Sequence, residues 1–443
     1  MSDTAHLSLF SPDHRVEVRF MLGDWFAEGR NQADVSLWQV WFGGRQMLRW
    51  SRVGVVPAAV DAQSGVVQEK VSRHRIRKSW QPEFGDVETL LDHHNELVVR
   101  LREQGAPNRR MDLIFHCSNE GAAVRVRVPR QRGVGRVLPA VGSVFRFPND
   151  TYACPAVGDE PAGGRRAGAP ELSRRVGAAT NGGSEPLQAP LTLNYAHGKL
   201  ACLLQLGNAP LRLQPTRDGL AAMSVDMPVE IATPHASSWQ VLLLGDKPCD
   251  LPQNSGLLLN LGLAASGVAT SEARAAERNC MVPFVRYPLW VSDAAGGPGV
   301  PSRGHTVPGD GEITPSHRAA FDLICGVGAA RWDETRFLRG AIGEFVVVAR
   351  RLGAVWQVAG ITGAEGRVLT VRLEEVLRDG TNGTYILTID RDPLPNETAA
   401  GGFVRETFSG VDCFDKPRMA LLPRGGFVLR LEPEASIRCG NRC

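Results

Sequence analysis

What most limits this chain is a period-two grammar: short runs in which apolar and polar residues alternate, each closed by glycine or another turn former. Val16, Val18 and Phe20 point one way between charged neighbours, and Leu37–Phe42 runs into Gly43-Gly44. The same pattern returns in Leu97–Leu101, in Leu113-Ile114-Phe115, and in Ala123–Val128 after Asn119-Glu120-Gly121. Side chains that alternate at every residue fit a strand with one face on a core, and glycine turns between them make antiparallel hairpins. Strand signals resume at Leu191–Leu193, Leu200–Leu206 and Trp239–Leu244 after a Gly-, Ala-, Pro- and Arg-rich stretch, 158–189, which reads as a loop insertion. A large β domain therefore spans 5–263.

A second punctuated stretch, VSDAAGGPGVPSRGHTVPGDG from Val291, has the composition of a flexible linker. Beyond it come Phe345–Ala349, Trp356–Ile361, Val368–Leu373, Tyr385–Ile389 and Phe427–Leu431, with Asp379-Gly380 and Asn382-Gly383 as turn formers. These predict a smaller antiparallel sandwich over 319–433, preceded by a linker over 264–318 and followed by a tail, 434–443. Helical periodicity is confined to Ser271–Arg278 and Leu373–Leu377. The fold class is all-β.

Lys and Arg number 50 against 47 Asp and Glu, a net charge of +3, so no basic footprint for nucleic acid is present. The most apolar stretch, LLLNLGLAASGVA from Leu257, is too short to span a bilayer, and no membrane partner is expected. The start, MSDTAHLSLFSPDHRVEVRF, has no apolar run behind a basic head, so the chain is expected to stay in the cytoplasm. Of nine cysteines only Cys439 and Cys443 are close in sequence, without the histidine or second pair a zinc site needs. Asn149, Asn382 and Asn396 open glycosylation sequons that would matter only in a secreted eukaryotic chain.

Three groups of residues could carry chemistry. Asp333, Glu334 and Glu344 crowd an apolar run in RWDETRFLRGAIGEFVVVARR, and glycoside hydrolysis needs two carboxyls. The β-branched residues after Glu344 read instead as a strand with charged ends. His93-His94-Asn95-Glu96 is the sharpest polar cluster, but neighbours on a strand face opposite ways, so His93 and His94 are not expected to share a metal ion. Trp25, Trp38, Trp41, Trp50 and Trp80 offer surfaces that could stack on a sugar; the expectation is that most are core. No nucleophile elbow or phosphate loop is present.

Several stretches together resemble family 97 of the glycoside hydrolases, whose members cleave α-glucosides or α-galactosides. They are SPDHRVEVRF at Ser11, SWQPEFGDVETLLDHHNELVVRL at Ser79, MDLIFHCSNEGAAVRVRVP at Met111 and APLTLNYAHGKLACLLQ at Ala189. Towards the C-terminus come AFDLICGVGAARWDETRFLRGAIGEFVVVARR, VWQVAGIT and GGFVLRL. The resemblance covers 5–263 and 319–433. It implies a large mutarotase-like super-sandwich, a small C-terminal β domain, and between them a (β/α)₈ barrel that carries the catalytic glutamates and most of the calcium ligands. A barrel needs roughly 200 to 250 residues, and 264–318 cannot hold one.

The resemblance thus implies a relative without its catalytic barrel, with carbohydrate binding as its remaining role and self-association through surfaces the barrel would have covered. Glu171 is the nearest counterpart of the one calcium ligand the family places on its N-terminal domain, and it does not support a calcium site. No catalytic residue and no cofactor is assigned. The alternatives are an enzyme working through surviving carboxylates such as Glu96, or a truncated gene product without function.

Overall fold

The computed structural model describes most of residues 6–262, 314–324 and 332–434; the longest internal stretches outside that description are 156–173, 176–186 and 263–313. The chain divides into two compact units, one made of Met1–Ser79 and Leu91–Cys280, the other of Trp80–Leu90 and Met281–Cys443.

The first unit is a sandwich of an eight-stranded and a ten-stranded sheet. Alternation produces it directly. On the strand Val16–Ala27, Val16, Val18 and Phe20 are buried while Glu17 and Arg19 pair with each other outside. From the opposing sheet, the strand Leu90–Glu103 sends in Leu97, Val99 and Leu101, and the strand Arg110–Ser118 sends in Leu113 and Phe115. Phe115 meets both Phe20, at 5.4 Å between ring centres, and Trp38, at 6.3 Å, so aromatic packing ties the two layers together.

The sequence-based turns are realised in two different ways. Gly43 and Gly44 have φ of +54° and +74° between the paired residues Phe42 and Arg45, a two-residue hairpin that L side chains resist. At Asn119-Glu120-Gly121 the glycine serves another purpose. Gly121 opens the strand Gly121–Val128, and a Cβ there would run into the carbonyl of Leu242 on the strand Trp239–Gly245.

In the second unit, six antiparallel strands run in the order Glu334–Ala341, Phe345–Leu352, Val355–Thr362, Gly426–Pro433, Tyr385–Arg391 and Val404–Val411. A two-stranded ribbon, Arg367–Thr370 with Arg418–Leu421, completes the smaller sandwich around Val358, Leu387, Phe427 and Leu429. Among the described residues no sheet closes into a barrel.

Three sequence-based readings need adjustment. Pro315–Ile324 is a helix that buries His317, Ala320 and Phe321, and it overlaps the last residues of the stretch read as linker. The Leu373–Leu377 signal becomes a single turn, Leu373–Val376. Trp80, placed with the first sandwich by its position in the sequence, is half-buried and groups with the second unit. There the backbone N–H of its neighbour in that segment, Glu88, donates to the carbonyl of Asp333 at 3.1 Å. Ser271–Arg278, Phe84, Asp379, Gly380, Asn382 and the Cys439/Cys443 pair lie outside the described residues.

Candidate functional site

A strand whose odd positions enter the core must present its even positions outside. On Leu90–Glu103 these are Asp92, His94, Glu96, Val98, Arg100 and Arg102, a polar row on the outer face of the sheet. Pairing extends the row sideways: Glu96 lies opposite His116, which lies opposite Ala123, and Val98 lies opposite Ile114, which lies opposite Arg125. Trp239 comes alongside because the next residue, Gln240, pairs with Val124.

The short helix Gly256–Leu261 buries Leu257, Leu258 and Leu259 and brings Asn260 to the rim, where its amide donates to the carbonyl of Leu91 at 3.1 Å. With Lys78 and His74 from the strand Val66–Trp80, these groups line an open cleft of about 560 Å³.

The floor of the cleft is a connected polar cluster. His94 Nδ1 lies 2.6 Å from Asp92, whose other oxygen is 3.4 Å from the Lys78 ammonium; the carboxylate can only accept, so the proton belongs on Nδ1. The His94 and His116 rings stack at 3.8 Å. His116 meets the edge of Trp239 at 6.2 Å, and the Arg125 guanidinium covers the Trp239 face at 4.2 Å. Burial, reinforced by His94 and Arg125, holds the His116 imidazole well below its ordinary value, so its neutral form is favoured. Burial also lowers Arg125, and Arg127 adds to the effect while Glu96 opposes it.

Three nitrogens in this cluster, His116 Nε2, Arg125 Nε and Trp239 Nε1, are buried without a hydrogen-bond partner. Each such group costs about 1–3 kcal/mol when left unmet, which is unusual in three neighbouring side chains.

Further along the same face, Asp112 is 1% exposed and holds both Arg100, at 2.8 Å, and Arg127, at 2.8 Å. Its carboxyl lies below the ordinary range because these hydrogen bonds and charges outweigh its burial, which acts the other way and is the largest single influence. Glu69 likewise holds Arg102 and Arg110.

Asp92 and Glu96 are four residues apart on one strand, about 13 Å between Cα atoms. Asp92 and Asp112 are moreover engaged by cations.

The residues singled out from the sequence are scattered. Asp333 accepts from the N–H of Gly353 at 2.7 Å, Glu334 pairs with Arg336 at 2.6 Å, and Glu344 pairs with Arg367 at 3.1 Å. Asp333 and Glu334 lie at the start of one strand and Glu344 just before the next, and each is paired with an arginine. Of the His93–Glu96 cluster, His94 and Glu96 reach the cleft, whereas Asn95 turns away to donate to Phe10 at 2.7 Å and His93 contacts Arg75 at 3.5 Å. Trp25 and Trp38 are buried, and Trp41, Trp50 and Trp80 are half-buried, so none is an open platform. Glu171 lies outside the described residues.

Sequence reasoning missed Asp92, His116, Arg125 and Trp239. The signal for His116 was present: it is one of the polar interruptions in MDLIFHCS, an otherwise apolar run. Among the described residues no group of three His, Cys, Asp or Glu side chains is arranged to hold a metal, and no helix is long and apolar enough to cross a membrane.

Known proteins supply the context. A family profile described as the glycosyl-hydrolase 97 N-terminal domain matches residues 9–262, and one described as the glycosyl-hydrolase 97 C-terminal, oligomerisation domain matches 331–432. Over 101 residues the chain is 33% identical to a retaining alpha-galactosidase of Bacteroides thetaiotaomicron, a stretch that is 23% of this chain and 14% of that protein. In three dimensions it is similar to a Glycoside Hydrolase Family 97 enzyme from Pseudoalteromonas sp. in complex with panose, with a TM-score of 0.70 and 12% identity over 97% of this chain and 100% of that one. A beta-arabinopyranosidase gives a TM-score of 0.62 at 14% identity over 96% and 100%. At such identities the likeness is one of fold.

Proposed function

The chain belongs to family 97 of the glycoside hydrolases, and from that membership we propose that it binds carbohydrate through the cleft on its large sheet and does not hydrolyse glycosides. The observation that carries the reading is the cleft itself. Planar hydrogen-bonding groups from Asp92, His94, Glu96, His116, Arg125 and Asn260 project from rigid strands and one helix around the edge of an indole, the kind of lining that hydroxyl-rich rings select. Loss of hydrolysis is supported by the engagement of Asp92 by Lys78 and His94 and of Asp112 by two arginines, and by the interval between the two matched stretches, 263–330, which is shorter than a (β/α)₈ barrel.

Self-association belongs to the same reading. The second unit corresponds to a domain described for oligomerisation, its outermost strand Val404–Val411 exposes Phe408, and Phe414 just beyond it is 77% exposed. Apolar side chains beside an edge strand favour association.

The test is release of nitrophenol from aryl α-glucosides and α-galactosides, with and without calcium, alongside calorimetric titration of the methyl glycosides. We expect no turnover, measurable sugar binding, and light scattering above monomer mass. Turnover that is lost in Glu96→Gln with the fold intact would overturn the non-hydrolytic reading.

A further inference from the structure

The strands Leu90–Glu103, Arg110–Ser118 and Gly121–Val128 carry five arginines on the outer face of the large sheet. Four are shared between two carboxylates, Arg100 and Arg127 on Asp112, Arg102 and Arg110 on Glu69. Arg125 is different. Among the described residues no carboxylate lies within ion-pair distance of it; its guanidinium rests on Trp239 at 4.2 Å, and its Nε lacks an acceptor.

Its two neighbours in the cleft share that condition. Trp239 is 7% exposed with an indole N–H that can only donate, and His116 is 3% exposed with an unmet Nε2 that carries a proton in one tautomer. Two buried donors without acceptors, one of them on a cation, beside an imidazole nitrogen that can donate in one tautomer, call for a group that brings acceptor oxygens and negative charge.

We propose that the Arg125 end of the cleft binds the carboxylate of an acidic sugar, a uronic acid residue, resting on the carbohydrate-binding reading above. Arginine suits a carboxylate because its forked donors match two oxygens at once. The hydroxyl groups of the same ring would fall to Asp92, His94 and Asn260, which line the cleft with it. Charge in the lining is consistent: Arg75, Lys78 and Arg125 face Asp92 and Glu96, and Asp92 is already held by Lys78 and His94. Glu96 is the one acid acting on Arg125 through space, so it opposes the incoming anion.

The experiment titrates the full chain with methyl α-galactosiduronate, methyl α-galactoside and inorganic phosphate. The uronate is expected to bind at least about tenfold more tightly than the neutral sugar. Arg125→Gln should remove that preference, Arg127→Gln should preserve it, and Glu96→Gln should raise it. Because Arg125→Gln uncovers Trp239, its melting temperature is measured too, and Arg125→Lys, which keeps charge but not the fork, should retain only part of the preference.

Equal affinity for uronate and neutral sugar would overturn this inference and leave carbohydrate binding standing. Phosphate binding as tightly as the uronate would overturn the sugar origin of the anion. Binding of none of the three would remove both readings.

Discussion

Two histidines, one in each unit, are almost wholly buried and differ in what surrounds them. His317, on the helix Pro315–Ile324, is enclosed by backbone: its Nδ1 lies 3.2 Å from the carbonyl of Gly425, and the Gly426 N–H beside it donates to buried Asp392 at 2.8 Å. His116 lies beneath an open cleft among side chains that lack acceptors. Burial lowers the proton affinity of both, to about 4 for His317, so a displaced titration does not separate a structural histidine from a binding one. The neighbours do. His317 is closed in by backbone, whereas His116 faces an open cleft, where a ligand can reach the donors beside it.

The largest effect that would sharpen this contrast is acid sensitivity common to both. His317 takes up its proton near pH 4 when folded and near its ordinary 6.5 when unfolded, so between those values the unfolded chain holds more protons and stability falls as pH falls. His116 acts in the same direction below 6.5, while Asp392, whose carboxyl is raised by burial, opposes it by holding its proton in the fold. Each histidine can contribute a slope of up to about 1.4 kcal/mol per pH unit. Urea denaturation from pH 7 to 4 should show this, and His116→Gln and His317→Gln should each flatten it. Ligand added at pH 7 should change the melting temperature only where His116 is intact.

Next in size is a substitution aimed at the closed site. A Cβ on Gly426 would lie 2.7 Å from the Cα of His317, backbone against backbone, with nowhere for either to yield. Gly426→Ala should cost about 1–3 kcal/mol by overpacking and leave sugar affinity unchanged; a parallel loss of affinity would break the separation drawn here. The smallest effect is expected at Arg127→Gln. Arg127 is partly exposed and Asp112 keeps Arg100, so the loss in chemical denaturation should be within about 1 kcal/mol.

Much of the sandwich was legible because alternation is local: Val16, Val18 and Phe20, or Leu97, Val99 and Leu101, announce a buried face without knowledge of the partner. The cleft was not legible. His94 and Glu96 stood out as a cluster, but His116, Arg125 and Trp239 join them only through the register of four strands, the last far along the chain. Trp80 misled for a related reason, since it sits at the end of a first-unit strand yet groups with the second unit. Membership of a unit is decided by packing, which sequence order does not encode.

The two carboxylates that each restrain a pair of arginines also bear on how this surface could change. With Asp112 and Glu69 in place, half of the positive charge of Arg100, Arg102, Arg110 and Arg127 is offset. Replacing either acid by its amide would free two guanidiniums at once, for the same change of one positive charge that a new arginine would bring, and would leave every strand unaltered. A face arranged in this way lies one substitution from affinity for polyanions, so descendants of this chain could acquire a new class of ligand without first acquiring a new fold.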